Sequence, residues 1–412
     1  MIVVKRISCF IALVCALLMG TASCSDDAVD IDEYTKQTLF VYMPWSGSET
    51  SSGLYSYFQV NLDSIERAIK RDKGLDGTRV VVFISNSANQ SSLYEITYQN
   101  GDIAHVPVNN YAGQDYATTA GLSGLLNEVV TYAPALNYAM IIGGHGCGWT
   151  YKEDWEDYPT RALELKNKMN PAAGLPMTRF FGSVADNKYA MNVEELAEAI
   201  ESTGLKMQYV LFDDCYMANV ETAYALRNAT NFLVASTSEV MSLGMPYYSL
   251  WPYLASGTPN YANIVSGFNE FYSGYTVPCG ALSAIDCRQM ENLAAVMSEV
   301  NATAVFDESR RAEVQALDGF SPNLFYDLGS YVKALEISNS LRLRFEAQLE
   351  ATVRATQSTE YVYTALRGTD QMIKVDDYSG ITISDISTHN VANKGKEKTE
   401  WWTARHQDIA VP

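Results

Sequence analysis

The chain is 412 residues long and carries 48 Asp and Glu against 29 Lys and Arg, a formal net charge of -19. A surface this acidic repels nucleic-acid phosphates and anionic membranes and favours cationic partners such as basic peptides, although acidity alone also serves solubility. The seven cysteines are too sparse for a disulfide scaffold and lack the short paired spacings of a zinc site.

Residues 1–23 read as a targeting segment to be left out of the fold. Lys5 and Arg6 form a positive head, and residues 7–20 are apolar but too short for a convincing membrane span. Thr21-Ala22-Ser23-Cys24 resembles a bacterial lipoprotein processing site, with Cys24 as the lipidated first residue. Ser25-Asp26-Asp27 resembles the acidic export tag of Bacteroidetes surface lipoproteins. The expectation is an outer-membrane lipoprotein, exposed at the cell surface or secreted, in which residues 24–36 form an acidic tether. The competing reading is an ordinary secreted protein cleaved nearby. Either way, loss of Lys5 and Arg6 makes the mature chain more acidic still.

Residues 37–412 show no linker rich in Pro or Ser and no internal repeat, and read as one domain. Residues 38–43 and 78–84 are core strands, with an amphipathic helix over 60–71 between them. Residues 93–108 form a hairpin turning at Asn100-Gly101, and 115–132 form a helix. Residues 138–142 are a buried strand that runs into Gly143-Gly144-His145-Gly146-Cys147-Gly148-Trp149. An insertion over 150–188, rich in charge, Pro, Gly and Asn, has little periodicity and is either functional or disordered. Residues 209–212 are an unbroken apolar strand that stops at Asp213-Asp214; helical spacing follows over 216–226. A strand over 232–235 leads to a loop over 236–244. Beyond it, 261–272, 280–285, 289–305, 324–334 and 340–356 are helix or strand candidates, and 361–367 and 380–384 close the sheet or form an accessory layer. Such alternation predicts a mostly parallel sheet with helices on both faces.

Two strands therefore end in reactive side chains, His145 and Cys215, at the carboxyl edge where open α/β sheets place their ligands. Of the cysteines beyond Cys24, Cys279 and Cys287 frame a strand and read as small core residues. A thiol with a histidine elsewhere in the chain is the pattern of a cysteine nucleophile. A thiol at its ordinary pKa is only a few per cent ionised at neutral pH. His145 either takes its proton, or protonates the leaving amine while a partly ionised thiol attacks unaided. The amides of Gly146 and Cys215 are candidates for an oxyanion hole. The bland alternative is a histidine in a glycine turn and a buried core thiol; two such ends on successive strands favour catalysis. Asp213, two residues before Cys215 in extended chain, points to its side and would pair with a cationic substrate residue before the scissile bond. Asp214 points away and reads as the N-cap of the helix from Tyr216.

His145-Gly146 together with Asp213-Asp214-Cys215-Tyr216-Met217-Ala218-Asn219-Val220-Glu221 and Val234-Ala235-Ser236 resembles the clostripain family of cysteine peptidases. The likeness runs from Val41-Tyr42-Met43 to Gly380-Ile381-Thr382-Ile383. It implies a caspase-like α/β/α sandwich, a His145 and Cys215 dyad, and Asp213 at the foot of a pocket selecting Arg or Lys. It also implies self-cleavage at a basic residue between histidine and cysteine; Arg161-Ala162 is the preferred bond. The loop after Ala235-Ser236 lacks the Pro-Gly usual in the family, which leaves Glu239 as the nearest second pocket acid. Cys147 stands where serine is commoner. Some relatives use calcium; no calcium-loop pattern is present, and no cofactor is named. The other classes are a non-catalytic surface-binding lipoprotein and an inactive peptidase homologue.

Overall fold

The computed structural model describes residues 35–113, 115–155, 181–183, 186–367 and 371–406. At its centre lies a sheet of nine strands. In chain order these are β1 (Gln37–Met43), β2 (Thr78–Ser87), β3 (Gln90–Gln99), β4 (Asp102–Ala112), β5 (Asn137–Gly143), β6 (Met207–Asp213), β7 (Thr230–Ala235), β8 (Ala281–Asp286) and β9 (Val353–Ser358). They lie side by side as β9-β8-β7-β6-β5-β1-β2-β3-β4. The five middle strands, β7 to β2, are parallel to one another. The β3–β4 hairpin is antiparallel at one edge, and β8 and β9 are antiparallel additions at the other.

Every residue of β1 is buried, as a parallel strand covered on both faces must be. Its period of two divides it between two cores. Phe40 and Tyr42 enter one, while Leu39, Val41 and Met43 enter the other. β6 repeats the division, with Val210 and Phe212 on one side and Tyr209 and Leu211 on the other. Around the sheet pack α1 (Tyr55–Asp72), α2 (Thr119–Tyr132), α3 (Val193–Glu201), α4 (Val220–Ala225), α5 (Tyr247–Leu254), α6 (Tyr261–Ser273), α7 (Met290–Thr303), α8 (Leu328–Lys333), α9 (Asn339–Thr352), α10 (Asn390–Gly395) and α11 (Glu400–Arg405). Helices α1, α5 and α6 cover the second core through Ile65, Leu250 and Phe268. Helices α2, α3, α4 and α7 cover the first through Leu126, Leu196, Val220 and Leu293. The result is the three-layer α/β/α sandwich expected, each buried Leu, Ile or Phe contributing about 1.5–3 kcal/mol.

Several elements differ from expectation for identifiable reasons. The hairpin is longer than 93–108, and Asn100 and Gly101 have φ of 53° and 88°, the paired positive values of a tight hairpin turn. The helix expected over 216–226 is only Val220–Ala225. Tyr216 takes the left-handed region, φ 59°, and Asn219, not Asp214, caps the helix by accepting from the Thr222 amide at 2.9 Å. The stretch 340–356 divides into α9 and the edge strand β9, whose Val353 and Thr356 pair with β8. Residues 361–363 and 382–383 do not close the sheet. They form two-stranded ribbons with Met372–Lys374 and Tyr326–Asp327. The fold takes up the chain before residue 37, since the Lys36 amide donates to Gly77 at 2.8 Å. The ends of the 150–188 insertion also belong to it: Trp155 is buried, and Phe181–Gly182 pairs with Ala190–Met191. Cys24, Arg161 and Ala162 lie outside the described residues.

Candidate active site

β5 and β6 are adjacent and parallel, with Gly143 opposite Asp213. The chain leaves both strands at the same level, so His145 and Cys215 emerge beside one another and line a single cleft. Gly146 makes the approach possible. A Cβ there would lie 2.3 Å from the carbonyl oxygen of Cys215 and 2.9 Å from its amide nitrogen, so only glycine fits. Gly148, at φ +61°, is held similarly close to Asn219 and Phe325. The His145 backbone forms a two-way pair with Gly182, both N···O distances being 3.1 Å. A residue in the last part of the insertion is thus fastened to the histidine loop.

Cys215 is 4 % exposed and His145 1 %. The Val240 amide donates to Cys215 Sγ at 3.2 Å, and the sulfur lies 3.6 Å from the Val240 carbonyl. Burial pushes the thiol well above its ordinary pKa, and the charges of Glu239 and Asp214 push it further, against the Val240 amide. A shift in this direction disfavours the thiolate, and so favours the route in which His145 takes the proton over unaided attack by an ionised thiol.

Asp213 lies in the cleft. The Tyr247 hydroxyl donates to its Oδ2 at 2.8 Å, and Gly244, φ +68°, packs so tightly that a Cβ would sit 2.4 Å from that oxygen. Oδ1 is buried with no hydrogen-bond partner among the described residues. Burial raises the carboxyl to about 6, opposed by Tyr247 and the Met245 amide. Asp214 is 1 % exposed and shifted well upward, by burial first and by Asp213 second.

Glu239 does not join Asp213 at the foot of the cleft. Its Oε1 accepts from the Tyr216 hydroxyl at 2.9 Å, the Thr364 hydroxyl at 2.8 Å and the Ala365 amide at 2.9 Å. Three donors turn this carboxylate behind Cys215, and its neighbours Val240, Met241 and Ser242 line the cleft instead. Cys147 is fully buried in one apolar cluster with Cys215, Trp149 and Tyr216. Cys279 and Cys287 are buried free thiols. Leu54, Tyr57, Phe58 and Asn61 at the start of α1 form the opposite wall. Nothing in their sequence marked them, because only tertiary packing brings α1 over the ends of β5 and β6. The open space is about 20 Å³, the room for a water molecule. Among the described residues no group of three or more His, Cys, Asp or Glu could hold a metal ion, and no helix is long and apolar enough to cross a membrane.

Comparison with known proteins gives the same outline. The family model described as Peptidase_C11, clostripain family, matches residues 41–397. A crystal structure of a secreted C11 cysteine protease from Bacteroides thetaiotaomicron, "iotapain", is 40% identical with a TM-score of 0.80, covering 90% of this chain and 99% of that one. A clostripain from Bacteroides thetaiotaomicron ATCC 29148, in complex with the peptide inhibitor BTN-VLTK-AOMK, is 44% identical with a TM-score of 0.53, covering 56% of this chain and 100% of that one. An inactive zymogen C11 protease from Parabacteroides distasonis is 21% identical with a TM-score of 0.73, covering 91% of this chain and 99% of that one. No match was found among curated proteins.

Proposed function

We infer, for a chain that belongs to the clostripain family of cysteine peptidases, that His145 and Cys215 are its catalytic dyad and that it cleaves after a basic residue held by Asp213. The observation that carries this reading is the shared cleft: imidazole, thiol and a half-satisfied buried carboxylate line one space at the carboxyl ends of two neighbouring strands. As Cys215 sulfur attacks the scissile carbonyl carbon, its proton passes to His145. A carbon–sulfur bond forms and the carbonyl π pair moves onto oxygen, where the amides of Gly146 and Cys215 receive it. Collapse breaks the carbon–nitrogen bond, and the imidazolium protonates the departing amine. Water, deprotonated by His145, then cleaves the thioester and restores the thiol.

Asp213 supplies specificity. A Lys or Arg side chain reaching the cleft floor meets Oδ1, the oxygen that Tyr247 leaves free. The VLTK peptide of the inhibitor bound by the 44% identical relative ends in lysine, which supports a basic residue at that place. Self-cleavage at Arg161-Ala162 would leave Gly182 on the same side of the cut as Cys215 and paired to His145. Lipidation at Cys24, with the 24–36 tether, would hold the domain at the outer surface of the cell; the 40% identical relative is described as secreted.

Fluorogenic peptides bearing Arg, Lys or Asp before the reporter test the reading, using purified wild type, Cys215→Ala, His145→Ala and Asp213→Asn. Turnover of the Arg and Lys peptides alone, abolished in both dyad variants, is the expected result. Hydrolysis that survives Cys215→Ala would overturn the dyad. N-terminal sequencing of the mature enzyme checks the Arg161 bond, and radiolabelled palmitate incorporation that vanishes in Cys24→Ala checks the anchor.

A further inference from the structure

His145 stands among Gly143, Gly144, Gly146 and Gly148, and its own backbone is held by the pair with Gly182. The first rigid anchor after them is Trp149, 1 % exposed. Its indole Nε1 donates to the hydroxyl of Ser384 at 2.9 Å. The backbone amide of the same serine donates to Oε1 of Glu221 at 3.0 Å, and Glu221 sits in the first turn of α4, the helix that follows Cys215. Two residues earlier the same strap takes hold of the cysteine loop directly: the Thr382 amide and hydroxyl both donate to the Ala218 carbonyl, at 3.0 and 3.2 Å.

We propose that Ser384 is a positioning residue, whose hydroxyl and amide together set the histidine loop against the cysteine loop. The proposal rests on the dyad reading above. Neither catalytic loop reaches the other through Trp149 or Glu221 alone; they meet on one fully buried residue, 235 positions from the tryptophan and 163 from the glutamate. A serine is required because the site uses one side-chain acceptor and one backbone donor simultaneously. Alanine keeps the amide and loses the acceptor, which frees the histidine side of the clamp while leaving the cysteine side in place. The imidazole then samples positions from which it takes the thiol proton less often. Substrate contacts at Asp213 are untouched, so the effect falls on kcat and not on KM.

The test uses the full, processed enzyme and four forms: wild type, Ser384→Ala, Trp149→Phe and the double variant. Ser384→Ala should lower kcat about tenfold, as misplacement of a reacting group does, with KM within about twofold. It should slow alkylation of Cys215 by iodoacetamide and flatten the pH dependence of that reaction. Because both single changes break the same bond, their effects on kcat should not multiply. The double variant also removes both polar partners, so it should recover the melting temperature lost by Ser384→Ala without recovering kcat. A serine that only stabilises the fold would behave otherwise, with kcat returning alongside the melting temperature, and that result overturns the proposal. So does a wild-type kcat in Ser384→Ala, a variant that carries the test by itself if Trp149→Phe does not fold. Failure of the dyad reading has a separate signature, turnover retained in Cys215→Ala or His145→Ala.

Discussion

A carboxylate that attracts a substrate cation does so only when ionised, and burial raises the Asp213 carboxyl to about 6. The sign follows directly. Below this value the group is protonated and cannot pair with Lys or Arg; above it the charge is present. The kcat/KM for peptides with a basic residue before the scissile bond should rise as pH increases through about 6. Asp213→Asn should abolish that inflection and reduce kcat/KM for these peptides by about a hundredfold or more, the cost of losing one partner of a desolvated charge pair. Initial rates with basic and neutral peptides from pH 5 to 8 check both points; an inflection that persists in the variant assigns it elsewhere. At this scale the meeting of His145, Asp213 and Cys215 at one cleft was legible because short apolar strands end abruptly in residues of unusual chemistry. Glu239 was not. Its sequence position beside the cleft is correct, but its direction depends on Thr364 and Ala365, more than a hundred residues away.

Elements bury their reasons deeper. The five parallel strands were readable because continuous apolar runs between breakers have few alternatives. The turn between Cys215 and α4 was not, since no pattern of apolar residues reveals a left-handed tyrosine. Asn219 holds this turn from both sides. Its Oδ1 accepts from Thr222 at 2.9 Å to cap α4, and its Nδ2 donates to the Tyr216 carbonyl at 2.7 Å. Asn219→Ala loses both bonds and should cost about 1–2 kcal/mol from the cap alone. Asn219→Asp keeps the acceptor and loses the donor. If the Tyr216 bond keeps Cys215 in place, the aspartate variant should retain most of the melting temperature and still lose several-fold in kcat. Calorimetry and steady-state kinetics on the two variants separate capping from loop geometry; equal activity in Asn219→Asp and wild type would reduce the residue to a cap.

The whole molecule couples distant parts of the chain in a way that sequence cannot show. Residues 382–405 return over the cysteine loop, and they bring Asp385, Lys396 and Arg405 near Glu221, with Arg405 Nη2 2.7 Å from Asp385 Oδ1. Burial first and the Asp385 charge second raise Glu221 to about 8, against the Ser384 amide and Arg405. In the unfolded chain this group titrates near its ordinary value of 4.5. Between those pH values the folded state binds more protons than the unfolded one, so stability falls as pH rises. Asp213, raised from 3.8 to about 6, acts in the same direction over its narrower window. The net charge of -19 adds self-repulsion at neutral pH that weakens as carboxylates protonate. All three effects place maximal stability on the mildly acidic side of neutrality. The melting temperature should drop by roughly 5 °C between pH 5 and pH 8, and Glu221→Gln, which keeps an acceptor for the Ser384 amide but cannot ionise, should flatten this slope. Scanning calorimetry of both proteins across that range gives the answer: a slope unchanged by Glu221→Gln would mean that the strap holds Glu221 ionised, with Arg405 as its counter-charge.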